Sequence, residues 1–151
     1  MIEGVRTKPL RTIADDRGWL FEILRCDDDL FTRFGQVYLT AVYPGVVKAW
    51  HCHRKQIDNL AVVSGMARLV LADCREGSPT RGTIEEFIIG DQNRMLVQIP
   101  PGVYHGLMGL GVTPALALNC PSEPYHRDHP DEIRLPFDTD QIPYTWQIRN
   151  G

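Results

Sequence analysis

The segment PGVVKAWHCH, residues 44–53, begins at a Pro-Gly turn and ends with two histidines that are one residue apart. Alternate side chains of a β-strand share a face, so we expect His51 and His53 to point the same way, into whatever the sheet encloses. Histidine changes charge near neutral pH, which makes inward histidines candidates for a proton-transfer base or for metal ligands. A pair of hydrogen-bonded polar residues in a hydrated barrel mouth is the alternative.

Short runs rich in β-forming residues recur along the rest of the chain, with glycines between them at close spacing. This pattern is typical of an antiparallel sandwich or barrel. A chain of 151 residues can bury a core without added cross-links, so we predict one all-β domain, residues 1–151. The predicted strands are Trp19–Leu24, Gln36–Tyr43, Val46–His51, Asn59–Val63, Ala67–Ala72, Ile84–Ile89, Met95–Ile99 and Ala115–Asn119.

Helical structure is expected only at the periphery. The best candidate is Asp27–Phe34, where three consecutive aspartates would cap a short helix and complement its positive end. The proline-rich, acidic segment from Pro121 onward is expected to lie over the barrel as loop and short helix.

Composition excludes several classes of function. Lysine and arginine total 16 against 19 acidic residues, so there is no electrostatic case for a nucleic-acid or membrane partner. The four cysteines form no CxxC pair, which is typical of reduced thiols in a cytosol. The first ten residues contain no apolar run, so we expect neither a signal peptide nor an anchor. The expectation is a soluble, cytoplasmic protein.

Two motifs resemble those of the cupin superfamily. The first runs from Gly45 to Gly65 and has aspartate, Asp58, where glutamate is usual. The second is PPGVYH, residues 100–105. The resemblance implies a double-stranded β-helix, or jelly roll, which agrees with the strand pattern. The residues matching the first motif are Gly45, His51, His53, Asp58 and Gly65.

A narrower resemblance covers most of the chain. The blocks DRGWLFE (16–22), REGSPTRG (75–82) and IPPGVYHG (99–106), together with Gln36, look like the signature blocks of dTDP-4-dehydrorhamnose 3,5-epimerases. In that family a histidine removes a proton beside the ketone of a nucleoside-diphosphate 4-keto-6-deoxyhexose, and a tyrosine returns one from the other face. The resemblance implies an isomerase without metal or other cofactor that makes an activated deoxysugar for polysaccharide.

The match implies roles for the residues near the histidines. His51 aligns with the family base, and a carbon acid beside a ketone also needs its enolate oxygen stabilised. Lys48, where the family usually has arginine, and His105 are the candidates for substrate and oxyanion contacts. His53 would orient its neighbour or the substrate, and Asp58 stands where the family has a lysine.

The DRGWLFE block supplies two further candidates for substrate binding. Arg17 suits a diphosphate because the guanidinium fork matches phosphate geometry, and Glu22 would contact a polar group of the nucleotide. Gln36 is expected on the same inward face as Tyr38. In the family this block reaches into a neighbouring subunit, so the resemblance implies a homodimer with a shared active site. A surface ion pair is the alternative for Arg17.

The catalytic acid departs from the family pattern. Ala117 and Leu118 stand where the family has its tyrosine. Tyr38 and Tyr104 are the candidate replacements, since either phenol could donate a proton. Packing of a buried ring is the alternative for both tyrosines.

Three other functions stay open. The HxH pair and the short loop that follows it resemble dTDP-4-keto-6-deoxyglucose 3,4-ketoisomerases. A second possibility is a metal cupin that binds Fe, Mn or Zn. A third is a sugar-nucleotide-binding protein that has lost the catalytic acid. The candidate metal ligands are His51, His53, Asp58 and His105.

Overall fold

The computed structural model describes residues 1–147, so the last four residues of the predicted domain lie outside the described part. Residues 1–147 form twelve β-strands and no helix, which confirms the all-β prediction. Within this range no helix is long and apolar enough to cross a membrane. The strands are β1 (Arg6–Pro9), β2 (Thr12–Asp15), β3 (Gly18–Phe21), β4 (Tyr38–Val42), β5 (Val47–Cys52), β6 (Asp58–Ser64), β7 (Met66–Asp73), β8 (Ile84–Gly90), β9 (Met95–Ile99), β10 (Val103–Leu110), β11 (Ala115–Asn119) and β12 (Ile133–Arg134).

Ten of the strands form two five-stranded antiparallel sheets. The first sheet has the order β1-β9-β6-β11-β4, and the second has the order β12-β5-β10-β7-β8. Strands that follow each other in sequence therefore often lie in different sheets, as in a jelly roll. The β2–β3 hairpin is a separate two-stranded sheet. This architecture confirms the predicted double-stranded β-helix.

The main core lies between the two sheets. Val62 and Val97 of the first sheet meet Leu69 and Leu71 of the second, and all four are at most 1% exposed. The outer face of the second sheet is covered as well, because Ile142 from the C-terminal segment packs against a cluster on that face. The central strands β7 and β10 of the second sheet are thus mostly buried on both faces.

Strand β10 was not among the predicted strands because glycine weakens a strand pattern. Its sequence, VYHGLMGL, has glycine at positions 106 and 109. A Cβ at Gly106 would lie 2.4 Å from the Cβ of Ala49, and one at Gly109 would lie 2.3 Å from the carbonyl oxygen of Tyr43. Both glycines therefore allow a neighbouring segment of the same chain to approach closely, which the sequence pattern does not reveal.

The helix predicted at Asp27–Phe34 is wrong. The carbonyl groups of Asp29 and Leu30 accept hydrogen bonds from the side chains of Arg6, at 2.7 Å, and Gln98, at 2.5 Å. These carbonyls are therefore used for tertiary contacts, and the segment forms turns instead of a helix. The helix expected after Pro121 is also absent from the described residues, where turns and β12 are found.

Candidate active site

The three predicted histidines lie together at the inner face of the second sheet. His51 on β5 pairs directly with His105 on β10, and their ring centroids are 6.1 Å apart. His53 follows the end of β5, and its ring centroid is 5.8 Å from that of His105. The two cupin-like motifs therefore meet because β5 and β10 are neighbours in the sheet.

Asp58 at the start of β6 faces the histidines from the first sheet and is only 1% exposed. Its Oδ1 accepts hydrogen bonds from Gln56 Nε2 and Asn119 Nδ2, both at 2.7 Å. Its Oδ2 lies 3.5 Å from His53 Nε2 and 3.8 Å from His105 Nε2. A buried carboxylate is costly unless it is hydrogen-bonded, and the two amide donors meet that need.

The surroundings of His105 favour the neutral form of its imidazole. Burial lowers the pKa of its imidazole, and the two neighbouring histidines lower it further, although the Asp58 carboxylate acts in the opposite direction. A neutral imidazole in this position can bind substrate without adding a buried positive charge.

His51 has a carboxylate partner that the sequence did not reveal. Its Nδ1 lies 2.8 Å from Oε1 of Glu132, whose other oxygen accepts a hydrogen bond from Arg134 at 2.8 Å. Burial acts to raise the pKa of Glu132, but the bonds from Arg134 and His51 outweigh it and lower that pKa. When the imidazole is neutral, an ionised carboxylate at Nδ1 favours hydrogen on that nitrogen and leaves Nε2 free to accept a proton.

The structure separates the two tyrosine candidates. Tyr38 lies on β4 of the first sheet, and its hydroxyl accepts a hydrogen bond of 3.0 Å from Asn119 Nδ2, the amide that also bonds Asp58. Tyr38 is 42% exposed; partial burial raises its pKa, the Asn119 bond lowers it, and the charges of Asp58 and Glu132 raise it further. The phenol therefore stays protonated at neutral pH, close to the acidic groups of the site.

Tyr104 lies on the opposite face of β10 from His105, because adjacent strand residues point to opposite sides. It packs against the buried cluster under the C-terminal segment that contains Trp50 and Ile142. This placement corrects the expectation that Tyr104 shares the site with His105.

Lys48 reaches the same face as His51 through an irregularity in β5. Residues three apart in a regular strand would face opposite sides. Here His51 pairs with His105 and Lys48 pairs with Leu107, so three residues of β5 span the same length as two residues of β10. The extra residue in β5 restores Lys48 to the inner face. Lys48 is exposed, whereas His51 is partly buried.

Arg17 and Glu22 lie outside the histidine cluster of the single chain. Arg17 is at the tip of the β2–β3 hairpin, where its side chain is 85% exposed and pairs with Asp15 at 2.5 Å. Glu22 follows β3 and pairs with Arg25 at 2.8 Å. The backbone N–H of Gln36 donates to the carbonyl of Pro121 at 3.4 Å. The surface ion pair considered for Arg17 is thus present.

Three of the site residues could also hold a metal ion. One potential ligand atom each from His53, Asp58 and His105 lies within 4.8 Å of the others. Two nitrogen ligands and one carboxylate suit several divalent transition metals. Cavities of about 160 and 470 Å³ lie along the C-terminal segment, but none of these three residues lines them.

Comparison with known proteins identifies the family to which the chain belongs. The family model for dTDP-4-dehydrorhamnose 3,5-epimerase matches residues 1–150. The chain is 42% identical over 146 residues to the spore coat polysaccharide biosynthesis protein SpsL of Bacillus subtilis, covering 97% of each chain. It is 40% identical over 147 residues to the probable low-salt glycan biosynthesis epimerase Agl13 of Haloferax volcanii, covering 96% of this chain and 94% of the relative.

The solved structures include a dTDP sugar isomerase from Desulfovibrio desulfuricans. It superposes with a TM-score of 0.91 at 37% identity, over 96% of this chain and 92% of that chain. These findings confirm the resemblance that the signature blocks indicated. The chain therefore belongs to the dTDP-4-dehydrorhamnose 3,5-epimerase family and is an isomerase of the epimerase type.

Proposed function

We propose that this protein epimerises a nucleoside-diphosphate 4-keto-6-deoxyhexose in the cytoplasm, in a pathway that makes an activated deoxysugar for polysaccharide or glycan. The observation that carries the proposal is the 2.8 Å bond between His51 Nδ1 and Glu132. It leaves His51 Nε2 as the proton acceptor, and general base catalysis needs such a group beside the acidic C–H bond. The names of the Bacillus and Haloferax relatives support the pathway.

Removal of the proton leaves negative charge on the ketone oxygen, which must be stabilised. Lys48 is the cationic candidate on the same face as His51, and neutral His105 is a candidate for a polar contact. Glu132 would at the same time stabilise the imidazolium that forms on His51. Substrate binding would also use His53 and the buried Asp58.

Tyr38 is the proposed acid. It lies on β4 of the first sheet, whereas His51 lies on β5 of the second, so the two side chains belong to opposite walls of the sandwich. Epimerisation requires removal of a proton from one face of the sugar and delivery to the other. A base and an acid on opposite walls suit that reaction better than transfer along one face.

The Tyr38→Phe variant separates these steps. We expect it to keep exchanging the substrate proton with solvent, since His51 still removes and returns a proton on its own face. Inversion of the carbon should slow by on the order of 10²-fold, because the donor on the other face is lost. Deuterium incorporation and product configuration, both read by NMR, measure the two steps. Inversion at the wild-type rate would exclude Tyr38 as the acid.

The test of the function itself is solvent deuterium incorporation into a panel of dTDP-4-keto sugars, read position by position. Exchange at carbon 3 or 5 with inversion supports the epimerase. A product whose ketone has moved to carbon 3 would instead identify a 3,4-ketoisomerase, which the HxH pair at His51 and His53 favours. Absence of exchange with every sugar would favour a binding protein.

A metal-dependent cupin is the second candidate, favoured by the closeness of the ligand atoms of His53, Asp58 and His105. We nevertheless expect no stoichiometric transition metal, because aspartate is shorter than the usual glutamate and the family resemblance is to metal-free enzymes. Elemental analysis of the protein after dialysis against a chelator tests this expectation. Near one equivalent of Fe, Mn or Zn per chain would contradict it.

We also propose a homodimer in which the β2–β3 hairpin completes the partner's site with Arg17 and Glu22. The hairpin leaves Trp19 58% and Leu20 55% exposed, and Leu39 on the edge strand β4 is 58% exposed. Exposed edges and apolar patches of this kind are commonly covered by association. Light scattering at micromolar concentration should give twice the mass of one chain. A monomer would contradict the proposal.

A further inference from the structure

Outside the histidine cluster, the Asp131 carboxylate binds three successive backbone N–H groups of the loop between β5 and β6. Asp131 Oδ1 accepts a hydrogen bond from the backbone N–H of Arg54 at 3.0 Å. Its Oδ2 accepts two more, from Lys55 at 2.9 Å and Gln56 at 3.0 Å. Three successive N–H groups that converge on one anion form a tight turn around it. The loop that joins β5 to β6 is therefore fixed at its centre by a residue 75 or more positions away.

The backbone of the same residue contacts the histidine cluster. The carbonyl oxygen of Asp131 bonds Nδ1 of His53. Because a carbonyl can only accept, Nδ1 of His53 must carry the hydrogen. In the neutral ring this leaves Nε2 unprotonated, on the side where Asp58 Oδ2 lies at 3.5 Å.

The loop held by Asp131 also contains Gln56, whose side chain donates to Asp58 Oδ1 at 2.7 Å. Asp131 thus contacts the ring of His53 through its backbone carbonyl and the carboxylate of Asp58 through Gln56. Burial acts to raise the pKa of Asp131, but the bonds from Lys55, Gln56 and Arg54 lower it overall, so the anion persists at neutral pH.

We propose that Asp131 is a positioning residue that acts through His53 and Asp58: its side chain anchors the loop and thereby sets the tautomer and aim of His53. This inference rests on the proposed function for its effect on catalysis, but not for its effect on the imidazole. The adjacent Glu132 holds His51 in the same way from its side chain. The dipeptide 131–132 therefore orients both histidines of the HxH pair, each through Nδ1.

The test compares Asp131→Ala with Asp131→Asn and with Asp128→Ala, which removes an exposed carboxylate three residues earlier. The readout is the pair of nitrogen chemical shifts of His53 in protein labelled with ¹⁵N-histidine, assigned with the His53→Asn variant. Wild-type protein and Asp128→Ala should show a single form with hydrogen on Nδ1. Asp131→Ala should show a mixture of tautomers at His53, while the signals of His51 stay unchanged.

The activity readout should follow the same order. Loss of alignment at a site costs on the order of 10- to 10²-fold, and we expect that loss of exchange rate for Asp131→Ala. Asp131→Asn keeps one acceptor oxygen, so its exchange rate should fall between those of Asp131→Ala and the wild type. The exchange rate of Asp128→Ala should match that of the wild type.

Two results would overturn the inference. One is a His53 signal in Asp131→Ala that keeps the single Nδ1–H form, even with a lower melting temperature, since Asp131 would then be merely structural. The other is hydrogen on Nε2 alone in the wild-type protein, a measurement that needs no folded variant. Failure of the proposed function would appear separately, as absence of exchange in the wild type with His53 still ordered.

Discussion

Replacing His51 with asparagine is expected to slow deuterium incorporation into the substrate by on the order of 10²–10⁴-fold, the usual contribution of general base catalysis. Asparagine roughly keeps the size and polarity of the ring but cannot accept the proton at neutral pH. Glu132 would keep a polar neighbour, so the fold and nucleotide binding should be nearly unchanged. The measurements are exchange by NMR, melting temperature and nucleotide affinity.

The matched variant is His53→Asn. In the proposed mechanism His53 orients its neighbour or the substrate, so its loss should be much milder than that of His51. A metal centre at His53, Asp58 and His105 predicts the reverse: the His53 variant would release the ion and lose at least as much activity. Equal losses at the two histidines, or near-normal exchange in His51→Asn, would remove His51 as the base.

The parts of the site that could be predicted from sequence are those fixed by local periodicity and short motifs. The alternate spacing of His51, in β5, and His53, just after it, placed both near one face, and the second motif supplied His105. The bounds of β9 and β11 agree with the predicted runs because both strands are short apolar segments between clear breaks. These signals are contained in a few neighbouring residues.

The parts that could not be predicted depend on which strands become neighbours. Glu132 reaches His51 only because β12 pairs with β5, with Arg134 opposite His51. A two-residue strand in an acidic, proline-rich segment has no periodic signal, so neither this pairing nor the role of Asp131 was visible. The prediction for Tyr104 was wrong because it relied on closeness in sequence to His105. Adjacent residues of a strand point to opposite faces, so Tyr104 lies on the other side of β10.

The second large effect is expected at Asp73, at the end of β7. Its carboxylate bonds the guanidinium of Arg75 through both oxygens, at 2.9 Å each. Oδ2 also accepts from the hydroxyls of Ser78 and Thr80, both at 2.6 Å. The side chain of Asp73 is 0% exposed. These bonds hold the REGSPTRG block, which connects β7 to β8, and Thr80 in turn accepts from the N–H of Glu3.

Asp73→Ala should therefore lower the free energy of unfolding by about 3–5 kcal/mol, the range for removing one partner of a buried ion pair. Asp15→Ala is the matched control, since Asp15 pairs with Arg17 at the same sequence spacing but on the surface. It should change stability little because exposed pairs contribute little. Urea unfolding at one fixed protein concentration measures both, and similar losses in the two variants would contradict the role of Asp73.

The pH dependence of the Asp73 effect has a defined sign. The bond from Arg75 holds the pKa of Asp73 well below its ordinary value in the folded protein, and the hydroxyls of Ser78 and Thr80 contribute to the same shift. A depressed folded pKa stabilises the protein above the unfolded pKa of about 3.9 and loses that stabilisation as pH falls toward the folded value. The gap in unfolding free energy between wild type and Asp73→Ala should thus be constant above about pH 5 and narrow below about pH 4. A gap that widens in acid would show that the Asp73 carboxylate is not the stabilising anion.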